Sequence, residues 1–253
     1  MDPVDRQVLE RLFPTSLTLY TIRPDATVGL VIVDPGQGFT RFGNLADPEH
    51  MVPMVGRIAD EYRRLRKELG DKLQVLVFLD THEADIPEPP YPPHCIAGTG
   101  EETIDPDLAF ILMQPNVTVV RKDCINGFVG AMKRSGEIGQ HGDSWINEFT
   151  NWVIEAGIST LLFTGDCTDI CVCDLVVTSL SARNHGMFTN IDPEDDHDAY
   201  VGAITDMNLV VLASACETFD APSNGHVREA WHQIGLAMMA SRGATLASEL
   251  VVD

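Results

Sequence analysis

Residues 159–174 read STLLFTGDCTDICVCD, and the reading of this stretch decides the fold. STLLFTG (159–165) is an apolar run of strand length that ends in turn residues. DICVCDLVVTSLSARNHG (169–186) follows with helical spacing and closes on a glycine, as a helix C-cap does. The same succession recurs on either side. VGLVIVD (28–34), LQVLVFLD (73–80) and NLVVLAS (208–214) are apolar runs that suit buried strands, and NVTVVRK (116–122) is a weaker fifth. EHMVPMVGRIADEYRRLRKELG (49–70) and SWINEFTNWVIEAG (144–157) carry helical periodicity between them. Strand and helix alternating this often predict an α/β protein, a three-layer α/β/α arrangement around a mainly parallel sheet. We expect a single domain over residues 1–253 with its core at about 26–245. The first 25 or so residues and an insertion near 135–143 are expected to be peripheral. EADIPEPPYPPHCIAGTGEE (83–102) is too rich in Pro and Gly for regular structure and reads as an ordered loop beside the sheet.

Composition narrows the function. The 253-residue chain has 44% hydrophobic residues, enough for a sizeable core, and 38 acidic against 17 basic residues give a formal charge of -21. Such a surface repels phosphate backbones and anionic lipids, so neither nucleic acid nor a membrane is expected as a partner. No apolar stretch reaches the roughly 20 residues of a membrane helix, and the opening MDPVDRQVLERLF lacks the order of a secretory signal. A cytoplasmic protein is expected. Six cysteines at 95, 124, 167, 171, 173 and 216 lie scattered through a chain large enough to fold without staples, which argues for reduced thiols. Cys167, Cys171 and Cys173 lack the paired spacing of a structural zinc site.

In a parallel sheet, ligands bind outside the carboxyl ends of the strands. Ionisable groups stand at four of these ends: Asp34, Asp80 with His82, Lys122, and Cys171 after its turn. Cys171 is expected in the first turn of a helix, where the partial positive charge favours a thiolate. A carboxylate can take the thiol proton and return it to a leaving amine, and a lysine can hold that carboxylate; Asp34 and Lys122 fit these roles. Taken singly, each residue is more often packing or a helix cap, so the weight lies on the joint pattern.

YPPHCIAGTGEE, RKDCINGFVGAM, GDCTDICVCD and SLSARNHG, in this order, resemble the isochorismatase-like cysteine hydrolases, and among them the nicotinamidases, plant-type ones most of all. The likeness spans about Val28 to Gly243. It implies the isochorismatase-like hydrolase fold and hydrolysis of nicotinamide to nicotinate and ammonia through a cysteine thioester, in NAD salvage. The family's aspartate, lysine and cysteine fall on Asp34, Lys122 and Cys171, and its metal motif on Asp80, His82 and His94. One divalent metal is then expected, zinc first, with manganese or iron as alternatives. Where some nicotinamidases have a further histidine this chain has Glu88, which is left as a ligand, a holder of metal water, or neither. Phe39 matches one aromatic wall of the substrate site. Tyr91 stands where the other is often tryptophan. The resemblance also implies a cis peptide before Cys167, with the amides of Cys167 and Cys171 as an oxyanion hole, and a homo-oligomer. The competing reading is a relative acting on a ureido or maleamate-type amide. Such relatives usually lack the metal set, and their anionic substrates call for an arginine that no motif at these strand ends supplies. A catalytically silent binding protein is disfavoured by the intact Asp34, Lys122 and Cys171.

Overall fold

The computed structural model describes residues 6–139 and 142–253. After a short helix α1 (Arg6–Leu12) and strand β1 (Thr18–Ile22), the expected strands appear in turn. They are β2 (Val28–Val33), β3 (Leu73–Asp80) and β4 (Val117–Lys122), with helices α2 (Gln37–Thr40) and α3 (Pro48–Leu69) between the first two. A one-turn helix α4 (Gly127–Gly130) leads into an antiparallel pair, β5 (Met132–Gly139) and β6 (Gly142–Asn147), and then α5 (Glu148–Glu155). The chain finishes with β7 (Thr160–Asp166), α6 (Cys171–Asn184), α7 (His197–Thr205), β8 (Asn208–Glu217), α8 (Arg228–Ser241) and β9 (Thr245–Val252).

Seven strands form one sheet in the order β1-β9-β8-β7-β2-β3-β4, every neighbouring pair parallel. Every residue of β2 is buried, because both faces of a parallel sheet are covered. Its side chains divide with period two. Val31 and Val33 join Leu161 and Phe163 of β7 under α5, α6 and α8, whereas Leu30 and Ile32 join Leu162 under α3. On α3 the buried residues Met51, Met54, Val55, Ile58, Tyr62, Leu65 and Leu69 recur at helical spacing and make one apolar stripe. The three-layer expectation therefore holds.

Two boundaries differ from the sequence reading. Residues 18–22 are not peripheral, since β1 extends the sheet parallel to β9 and buries Ile22 completely. The segment read as a helix from 144 begins as strand β6. The helix starts only at Glu148, where the Asn147 side chain accepts hydrogen bonds from the amides of Phe149 and Thr150. The insertion near 135–143 includes residues 140 and 141, which lie outside the described residues; its flanks pair as β5 and β6.

The chain runs outward from β2 through β3 to β4 on one side, and from β7 through β8 to β9 on the other. The β2–β7 pair is thus the topological switch point, where a crevice opens beyond the strand ends. Gly165 lets these two ends close up. It pairs with Val33 at φ +114°, and an added Cβ would lie 2.1 Å from the Val33 carbonyl oxygen. Gly165→Ala should therefore destabilise the protein by on the order of 3 kcal/mol, read as a lowered chemical-denaturation midpoint, and an unchanged midpoint would contradict this packing.

Candidate active site

All four ionisable strand ends meet in that crevice. Lys122, at the end of β4, is almost fully buried and three oxygens surround its ammonium. Nζ lies 2.9 Å from Asp34 Oδ2, 2.9 Å from Asp80 Oδ1 and 3.0 Å from the Cys124 carbonyl oxygen, which accepts from it. The Cys171 sulfur is 3.9 Å away. Lysine thus links the nucleophile candidate to both carboxylates. Asp34 follows β2 with φ +50°, a left-handed conformation that aspartate tolerates and that turns the chain at the crevice floor. Among the described residues neither of its carboxylate oxygens receives a directed hydrogen bond, so the Lys122 contact is an ion pair and Asp34 keeps capacity to accept a proton.

The electrostatics divide the two carboxylates. Burial pushes Asp34 up to about 6, against the pull of Lys122 and with a further push from the charge of Asp80. Burial also acts on Asp80, but Lys122 and the close His82 and His94 rings hold it well below the usual carboxylate range. Lys122 loses to burial and gains more from Asp34, Cys171 and Asp80, so it stays charged. Cys171 is the first residue of α6, as expected. Burial raises its pKa well above that of an ordinary thiol, Lys122 lowers it and Asp34 raises it further. The end of a helix favours an anion by less than about 2 kcal/mol, and it acts with Lys122 against burial.

The peptide between Asp166 and Cys167 is cis, as the resemblance implies. Among the described residues neither the Cys167 nor the Cys171 amide donates to another backbone carbonyl, so both are free to meet an anionic oxygen.

A second cluster lies on the same cavity. Asp80 Oδ2 is 2.9 Å from His82 Nε2 and 3.1 Å from His94 Nε2, and Glu88 Oε2 is 3.6 and 3.5 Å from the same two nitrogens. One ligand atom from each of the four residues falls within 4.8 Å of all the others. The Pro92 carbonyl, 2.8 Å from His94 Nδ1, requires the hydrogen there and leaves Nε2 to face the carboxylates. Two imidazole nitrogens and two carboxylates converging in this way suit a divalent metal ion. Glu88, undecided from sequence, belongs to the set. The loop that carries it is ordered because His82 and Cys95–Ala97 exchange backbone hydrogen bonds and the Asn44 side chain donates to the Pro93 carbonyl.

A cavity open to one side lies between the two clusters. Phe39 and Tyr91, both expected walls, line it and flank the His94 ring at 5.8 and 6.1 Å. Leu45, Ile125, Ile170 and Phe219 also line it and were not singled out from sequence. Phe219 stands two residues beyond β8, so the strand-end rule points to it, but a phenylalanine carries no chemical signal of its own.

Residues 28–249 match the isochorismatase domain. The chain belongs to the isochorismatase family. Among its relatives, nicotinamidase 1 of Arabidopsis thaliana is 39% identical over 238 residues, which cover 89% of this chain and 87% of that protein. Two solved structures share the isochorismatase fold at low identity. The pyrazinamidase of Pyrococcus horikoshii, in complex with zinc, matches with a TM-score of 0.57 and 17% identity over 87% of this chain and 98% of its own. The N-carbamoylsarcosine amidase of Thermoplasma acidophilum matches at 0.56 and 21%, over 87% and 95%. Since both sit equally well on this fold, the fold alone does not choose the substrate. Among the described residues no helix is long and apolar enough to cross a membrane.

Proposed function

We propose that this chain is a nicotinamidase, a single hydrolase domain over residues 1–253 that converts nicotinamide to nicotinate and ammonia. The observation that carries the reading is the placement of the Asp80, His82, Glu88 and His94 cluster on the same cavity as Cys171. The curated relative of 39% identity, itself named a nicotinamidase, points the same way. In this reading Asp34 receives the Cys171 proton as the sulfur attacks the carboxamide carbon, and the amides of Cys167 and Cys171 hold the resulting oxyanion. Asp34 gives the proton to the leaving nitrogen, ammonia departs, and a thioester remains on Cys171. Asp34 then draws a proton from water as its oxygen attacks the thioester, and nicotinate leaves as the thiol is restored. Lys122 keeps Asp34 placed throughout. Phe39 and Tyr91 bracket the ring. A divalent cation held by Asp80, His82 and His94 with Glu88, zinc first and manganese or iron as alternatives, would supply a Lewis-acid contact for the pyridine nitrogen. A ureido or maleamate-type substrate fits less well, because no arginine lines the described cavity and Lys122 is already engaged by Asp34, Asp80 and the Cys124 carbonyl.

Ammonia release from nicotinamide by the purified protein tests the reading, and its pH profile tests the base. Asp34 must be ionised to accept the thiol proton, so activity is present above its pKa and lost as pH falls through about 6. kcat/KM should drop about tenfold per pH unit on the acid side and level off above it. No ammonia from nicotinamide would remove the reading. A flat profile down to pH 4.5, about 1.5 units below the titration, would remove Asp34 as the base.

A further inference from the structure

Phe219 reaches the cavity from the carboxyl end of β8 and lines it beside Cys167, Ile170 and Cys171. What fixes it there is His226. The imidazole stacks on the Phe219 ring with centroids 3.9 Å apart and planes 10° apart, and its Nδ1 lies 3.0 Å from the Phe219 carbonyl oxygen. Its Nε2 lies 3.0 Å from Asp169 Oδ2. Asp169 sits midway along the turn from Cys167 to Cys171, and the Thr218 hydroxyl donates to its other oxygen at 2.6 Å. One ring therefore ties the Phe219 wall to the turn that presents the nucleophile. His226 is itself held. Trp231, on α8, stacks behind it at 5.4 Å with planes 2° apart, and the backbone of His226 exchanges two hydrogen bonds with Ala221.

We infer that Phe219 is a specificity-determining contact for a flat aromatic ring on the substrate, and that His226 is the positioning residue that sets this ring against the Cys167–Cys171 turn. The inference deepens the nicotinamidase reading by adding a third aromatic wall to Phe39 and Tyr91, and it rests on that reading only for the identity of the ring. A ring lost from a stack forfeits contact with the bound ring more than it alters chemistry at sulfur.

The test uses Phe219→Ala, His226→Leu, and His226→Phe, which keeps the stack without the hydrogen bonds. Phe219→Ala and His226→Leu should raise KM for nicotinamide about five- to tenfold with kcat within about threefold, and His226→Phe should recover part of the loss. Benzamide, titrated by NMR into each variant in a Cys171→Ala background, should bind about five- to tenfold more weakly than to Cys171→Ala alone. Iodoacetamide, which has no ring, should label Cys171 of Phe219→Ala within about twofold of the parent rate. Unchanged benzamide affinity in both Phe219→Ala and His226→Leu would overturn the inference. Equal losses in benzamide affinity and iodoacetamide labelling would overturn it too, since they would mark a general collapse of the site. A parent that releases no ammonia from nicotinamide would sink the nicotinamidase reading, while benzamide affinity would still decide the wall.

Discussion

Cys171→Ala should lower ammonia release from nicotinamide by on the order of 10⁴-fold or more, with the denaturation midpoint and the metal content unchanged. The substitution removes one sulfur from the cavity lining and leaves the ion pairs of Lys122 with Asp34 and Asp80 in place. No residue nearby can replace the sulfur. The Cys167 thiol also lines the cavity, but burial and the charges of Asp166 and Asp169 raise its pKa, whereas Cys171 has the opposing pull of Lys122 beside it. Asp34→Asn should lose nearly as much, because the asparagine amide cannot accept the thiol proton. Since the two residues act as one unit, the double variant should be little worse than either single one. Ammonia release by Cys171→Ala within about tenfold of the parent would eliminate covalent catalysis at this residue. A strictly additive double variant would separate Asp34 from the proton path.

The central sheet and the site were legible in the sequence for one reason. A strand buried on both faces must be apolar throughout, so the charged residue that ends it stands out. VGLVIV ends at Asp34 and LQVLVFL at Asp80, and the crevice beyond those ends gathers both. The edges of the sheet carry no such contrast. In β1 only Ile22 is fully buried, and in β9 Ser248 and Glu249 face outward, so neither run is continuously apolar. The stretch from Trp145 to Phe149 fits helical and extended patterns equally well. What decides it is Asn147, whose side chain caps α5 while its backbone still pairs with Met132. The surroundings of Cys171 were legible only in part. Its place at a helix start can be read locally, but the burial that pushes its pKa up comes from residues distant in sequence. Phe219 and His226 were invisible likewise, since their meaning lies in contacts with Asp169, 57 residues before His226.

Removing the metal should separate the ring contact from the chemistry. Chelation, or His94→Ala, should strip the bound divalent ion and lower kcat/KM for nicotinamide by roughly a thousandfold, carried mainly by KM. His94 offers Nε2 to the cluster and contacts no catalytic group directly, whereas Lys122 can still hold Asp34 after the ion is gone. Benzamide has the same carboxamide without the ring nitrogen. Its slow turnover should therefore change less than about threefold on metal loss, and nicotinamide turnover should sink toward the benzamide level. Glu88 supplies the gradation. Its carboxylate stands 3.5 and 3.6 Å from the two histidine nitrogens, farther than that of Asp80, and its side chain is more exposed. Glu88→Ala should weaken metal affinity by about 10 to 100-fold without abolishing it, as measured by competition with a chelating dye. Unchanged affinity in Glu88→Ala would make it a bystander. Chelated protein that hydrolysed nicotinamide as fast as the loaded form would detach the Asp80, His82 and His94 cluster from substrate recognition, and the preference for nicotinamide over a ureido or maleamate-type amide would lose the observation that carries it.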